Sequence, residues 1–177
     1  REIEISSLDL DHSTECLGYS LYFKRNREFD PDKALENQVP KHLWRHLQAG
    51  QTFYMDDVSY TPDMVLGKPR PGIKFSYITD TRPIEAIIPF IKSSRLFVCE
   101  AMYGDDLDIG KAVKNKHMTF REAANLAYKG QVDHLLLTHF SPSLDSPGDY
   151  IENATSIFKN TSLAYDGINI SIGYPDK

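Results

Sequence analysis

Three residues able to ligate a divalent metal, His12, Asp80 and His139, each stand where a strand-like run gives way to turn-prone sequence. Imidazole nitrogen and carboxylate oxygen suit zinc, and one carboxylate can bridge two ions. A fourth residue, His117, lies just ahead of Thr119-Phe120-Arg121-Glu122. That run is a capping box, in which the Thr and Glu side chains satisfy the open donors of a helix start. Each residue also has an ordinary reading: Asp80 as a loop acid paired with Arg82, His117 as a surface residue, His139 as a histidine bonded to its own loop. Together they fit a site for divalent metal ions.

The elements that must position these residues can be read from periodicity and punctuation. Leu135-Leu136-Leu137 reads as a strand buried on both faces, ending at His139 before the turn-prone Phe140-Ser141-Pro142. The end of a buried strand is where open α/β layers place their chemistry. Residues 2–12 alternate and pair as a hairpin with a strand over 16–23. A strand over 73–78 leads to Asp80, and a buried one over 96–99 ends on Glu100. Asp30-Pro31 starts a short helix over 31–37, with Asp as cap and Pro in the first turn. A second helix, 40–48, turns Leu43, Trp44 and Leu47 to one side and stops at Gly50. A third, 84–93, carries Ile87, Ile88 and Ile91 inward, with Pro89 a kink or boundary. Behind the capping box, Phe120, Ala123, Ala124 and Ala127 form an apolar stripe, and Gly130 closes the helix. A helix over 148–159 and strands near 162–165 and 168–172 complete an α/β layered chain.

With 177 residues, this is one domain or part of a larger one. Apolar residues make up 41% and charged residues 25%, as in soluble globular chains. No run approaches the roughly 20 apolar residues that span a bilayer, and no signal-peptide pattern opens the chain. The two cysteines, Cys16 and Cys99, form no CxxC pair, so a reducing cytoplasm is the expected compartment. The net charge of −5 excludes a uniformly basic nucleic-acid binder. Between Lys24 and Gly50, however, six Lys/Arg face four acids, a local positive excess.

The motifs taken in order resemble a known family. His12 with Gly18-Tyr19, Asp80-Thr81-Arg82, His117-x-Thr119-x-x-Glu122-Ala123-Ala124, Leu136-Leu137-Thr138-His139-Phe140-Ser141 and Ala164-Tyr165-Asp166-Gly167 resemble the later motifs of ribonuclease Z. Those are tRNA 3′-processing endonucleases of the metallo-β-lactamase superfamily. The resemblance implies an αββα sandwich of which this chain is the C-terminal half. It also implies a zinc-dependent endoribonuclease cutting precursor tRNA, two zinc ions (or manganese), a homodimer and cytoplasmic operation. By the same resemblance His12 ligates one zinc, Asp80 bridges both and His139 ligates the other. His117 then stabilises the scissile phosphate or protonates the leaving 3′ oxygen. Glu100, in Cys99-Glu100-Ala101, becomes a residue that orients the site from behind.

The departures are specific. The family's H-x-H-x-D-H motif, source of four further metal ligands, does not occur in this chain. Completing the site therefore needs the N-terminal half of the fold, and a chain lacking it is expected to expose a large apolar face. The family's substrate arm falls at about 24–70, where Lys41, His42, Arg45 and His46 are candidate tRNA contacts or an ordinary exposed helix face. Thr79 stands where the family has Gly, and Pro142-Ser143-Leu144 where it has x-Arg-Tyr. Two other readings stay open: a hydrolase of the same superfamily acting on a small ester or phosphodiester, and a non-catalytic fragment that binds RNA or a partner.

Overall fold

The alternating runs form strands in the computed structural model, which describes residues 2–55 and 57–174. The strands are β1 (Ile3–Asp9), β2 (Leu17–Arg25), β3 (Phe53–Met55), β4 (Val58–Tyr60), β5 (Arg70–Ile78), β6 (Leu96–Glu100), β7 (Leu135–Thr138) and β8 (Thr161–Leu163). The α-helices are α1 (Pro31–Glu36), α2 (Trp44–Gln48), α3 (Ile87–Ile91), α4 (Ile109–Asn115), α5 (Phe120–Gly130) and α6 (Glu152–Thr155). The contacts divide the chain into two units: Arg25–Pro71, and Glu2–Lys24 together with the chain from Gly72 onward.

The larger unit is built on a six-stranded sheet in the order β1-β2-β5-β6-β7-β8. β1 and β2 form an antiparallel hairpin, and β5 through β8 run parallel, each pair joined by a helical crossover. Alternation along the strands sends Ile78, Phe97, Cys99, Leu135 and Leu137 to one face, where they are buried under Ile87 and Ile91 of α3, the alanine stripe of α5 and Ala154 of α6. α5 closes tightly on α3: a Cβ on Gly130 would lie 2.7 Å from Ile91 Cγ1. The residues of opposite parity, among them Ile5, Tyr19, Tyr77, Val98 and Leu136, face the other way. There Ile5 is 68% and Tyr19 40% exposed, so this unit carries the open apolar sheet face expected from the sequence.

The smaller unit has its own core of Ala34, Val39, Leu43, Leu47 and Val65, with Phe29, Trp44 and Phe53 packed around it. Asp30 caps α1 by accepting from Lys33 N at 3.0 Å, and Trp44 Nε1 donates to the Val39 carbonyl at 2.9 Å. Arg27 pins the far end of the unit by donating to the carbonyls of Leu66 and Gly67.

Several boundaries differ from the sequence expectation. β1 ends at Asp9, and His12 sits in the hairpin connection rather than on the strand. Pro89 neither kinks nor ends α3; it occupies the first turn, where a missing N–H costs nothing. α5 is terminated by Gln131 in the left-handed conformation (φ 52°), one residue beyond Gly130. The helix expected over 148–159 is a 3₁₀ turn, Pro147–Tyr150, followed by the single turn of α6. Residues 168–172 form no strand: Gly167 (φ 85°) and a turn closed by Ile168 N on the Tyr165 carbonyl redirect the chain after β8. α4, with Ile109, Ala112 and Val113 at helical spacing, is not among the sequence expectations.

Candidate active site

The ends of β5 and β7, the β1–β2 connection and the link between α4 and α5 bring the four candidate residues together. One ligand atom each of His12, Asp80 and His117 lies within 4.8 Å of the others. The His117 ring lies between the other two imidazoles, with centroids 4.9 Å from His12 and 5.4 Å from His139. His139 Nε2 is 3.4 Å from Asp80 Oδ1. Its backbone has φ 60°, a strained conformation for a non-glycine residue, at the point where the chain leaves β7.

Two of the imidazoles, His12 and His117, are anchored from behind. His12 Nδ1 donates to the carbonyl of Lys116 at 2.9 Å, so Nε2 keeps its lone pair for a ligand. Lys116 adds a second tie through Nζ to Asp11 Oδ1 at 2.6 Å. His117 Nδ1 is 3.0 Å from Glu100 Oε1, which likewise frees Nε2. Glu100 is 1% exposed and accepts backbone N–H groups from Thr81 (2.9 Å), Met102 (3.1 Å) and Met118 (3.4 Å). Burial pushes its carboxyl up to about 7, against the pull of those three donors. Burial also lowers the His117 pKa, opposed by the nearby Asp80. The donor set of two or three imidazoles and one carboxylate, with outward nitrogens fixed by hydrogen-bond partners, fits a divalent metal such as zinc.

Arg82 does not pair with Asp80, the alternative the sequence left open. Its guanidinium forks onto both Glu122 oxygens and also reaches the His117 carbonyl. Sequence reading missed Lys116 and this fork, because a carbonyl acceptor has no residue signature and the two ion-pair partners lie 40 positions apart. Lys41, His42, Arg45 and His46 belong to the smaller unit and are all exposed there; Lys41 Nζ sits 5.9 Å over the Trp44 ring, and His46 Nδ1 is 2.9 Å from Gln51 Oε1.

The architecture is that of the metallo-β-lactamase fold. The fold protein YhfI of Bacillus subtilis aligns with 94% of the chain and 48% of its own at TM-score 0.60 and 17% identity. The short form of human tRNase Z aligns with 97% of the chain and 44% of its own at TM-score 0.58 and 19% identity. Within that fold, the chain is similar in sequence to proteins named ribonuclease Z, the family that its motifs resemble. It is 62% identical to ribonuclease Z of Clostridioides difficile over 176 residues, which is 99% of this chain and 58% of that protein. It is 53% identical to ribonuclease Z of Clostridium botulinum, over 97% of this chain and 55% of that protein. The chain thus spans somewhat over half the length of these curated relatives. No family model matches it.

Proposed function

We propose that this chain is the C-terminal half of a ribonuclease Z-type, metal-dependent endoribonuclease that cleaves precursor tRNA on the 3′ side. The observation that carries this reading is the convergence of His12, Asp80, His117 and His139, from four separate stretches of sequence, on one cluster. His12, Asp80 and His139 would hold zinc, with Asp80 placed to serve two ions; manganese is the alternative. The remaining ligands would come from the N-terminal half, packed on the open face of the sheet. When bound, the metal supplies a polarised phosphate and an activated water. His117, held at Nδ1 by Glu100, would present a protonated Nε2 to the scissile phosphate or the departing 3′ oxygen, with the Glu100 carboxylate accepting the Nδ1 proton and steadying the imidazolium from behind. Buried Thr81 ties the Asp11 backbone to the same corner, which keeps His12 at a fixed distance from Asp80.

The unit from Arg25 to Pro71 is the substrate arm in this reading. Its exposed Lys41, His42, Arg45 and His46 would meet tRNA phosphates in a salt-sensitive contact. A homodimer working in the cytoplasm completes the picture; among the described residues no helix is long and apolar enough to cross a membrane. A second reading, hydrolysis of a smaller phosphodiester or ester, draws support from Pro142-Ser143-Leu144 in place of an Arg-Tyr pair. The deciding experiment offers the full-length protein precursor tRNA and bis(p-nitrophenyl) phosphate in parallel. The proposal expects a single cut at the 3′ side of the tRNA body. Hydrolysis of the small diester with intact tRNA would replace it by the second reading.

A further inference from the structure

The Asp80-Thr81-Arg82 loop does more than carry a candidate ligand. Thr81 donates its N–H to Glu100, the residue that holds His117, and its hydroxyl accepts from Asp11 N at 3.0 Å, next to His12. Arg82 N donates to the Asp11 carbonyl at 2.9 Å. The Arg82 side chain then crosses to the start of α5. Its Nη1 lies 2.9 Å from Glu122 Oε2 and also donates to the His117 carbonyl, while Nη2 takes the other Glu122 oxygen. Glu122 is in turn the capping-box acid, accepting Thr119 N at 3.0 Å. Both side chains are mostly buried, at 18% and 21% exposure, so the pair sits where a two-pronged ion pair is strong and specific.

We propose that Arg82 and Glu122 are positioning residues that together set the distance between Asp80 and the imidazole of His117. The chain of contacts runs from Asp80 through two residues of backbone to Arg82, across the fork to Glu122, and from the same guanidinium to the His117 carbonyl. One link therefore fixes a strand end against a helix start. Lys cannot replace Arg here, since a single ammonium cannot bridge two carboxylate oxygens and a carbonyl in one plane. Gln at position 122 would still cap α5, because a capping box accepts Glu or Gln, but it loses the charge and the second acceptor. The cap and the fork are separable by that substitution.

The inference rests on the ribonuclease Z-type reading for its kinetic consequence, and the test keeps the two apart. R82K, E122Q and the double variant are compared in two measurements. In the full-length protein, each single variant lowers kcat for precursor tRNA about 10- to 100-fold with KM nearly unchanged, as misplacement of a reacting group by about 1 Å does. The double variant is no worse than the singles, because the two residues act as one link. In the same full-length protein, nitrogen-15 spectra of the histidines show His117 as one tautomer in wild type, with its Nδ1 proton toward Glu100, and as a mixture in the variants. Retention of the single tautomer in both variants overturns the proposal, as do additive losses in the double. If R82K loses its folded near-ultraviolet signal, E122Q, with its cap intact, decides. If wild-type full-length protein leaves tRNA uncut, the functional reading fails, and the tautomer measurement alone decides the positioning role.

Discussion

At the scale of single residues, the site is shaped less by its candidate ligands than by the groups that hold them from behind. Glu100 gathers four donors in a space closed to water: the N–H groups of Thr81, Met102 and Met118, and the ring of His117. Replacing it with Gln puts an amide N–H₂ against some of those donors, and a buried donor without an acceptor costs roughly 1–3 kcal/mol. Glu100→Gln is therefore expected to lower the unfolding free energy obtained from urea titration by an amount in that range, and an unchanged value would show the carboxylate is not needed as an acceptor. Residue type made His12, Asp80, His117 and His139 legible in the sequence, because few side chains ligate metals and these stood at element ends. Their anchors were less so. Glu100 was visible only as a motif position, and Lys116 acts on His12 through its backbone carbonyl, which any residue possesses.

At the scale of elements, periodicity identified β7 and α5, which bring Leu135, Leu137 and the α5 stripe into the larger core. The capping box appears as drawn from sequence, with Glu122 N on Thr119 Oγ1 at 3.3 Å. Short elements were misjudged where a turn or a proline outweighed the apolar pattern, as in α6 and the segment after Gly167. The base of β7 offers a pH test away from the site. His134 is partly buried, its Nε2 lies 2.7 Å from Ser162 Oγ on β8, and burial lowers its pKa below the ordinary 6.5. The folded state therefore binds fewer protons here than the unfolded chain. Stability from this group is fully present above pH 6.5 and is lost as pH falls through the lowered value. Melting curves should show a steeper acid-side decline for wild type than for His134→Gln. Parallel declines would mean that the folded and unfolded states hold this proton equally.

At the scale of the molecule, strand alternation accounts for the open sheet face. β5, β6 and β7 bury one parity under helices, and on the other side of the sheet Ile5, Tyr19 and Tyr77 are exposed apolar or aromatic side chains. A recess of about 720 Å³ on this side is lined by Tyr77, Val98, Leu136, Thr138, His139 and Tyr165 among others, so the apolar face runs up to the candidate ligands. In the proposed reading, the N-terminal half covers the face and completes the metal site in one step, and Asp80 is the carboxylate shared by both ions. The most direct measurement is the zinc content of purified full-length protein, wild type beside Asp80→Asn, with folding checked by circular dichroism. The expected result is about two ions per chain in wild type, as two-metal hydrolysis requires, and a loss of at least one in the variant. A folded Asp80→Asn protein with its zinc undiminished would contradict the claim that this strand end holds the metal.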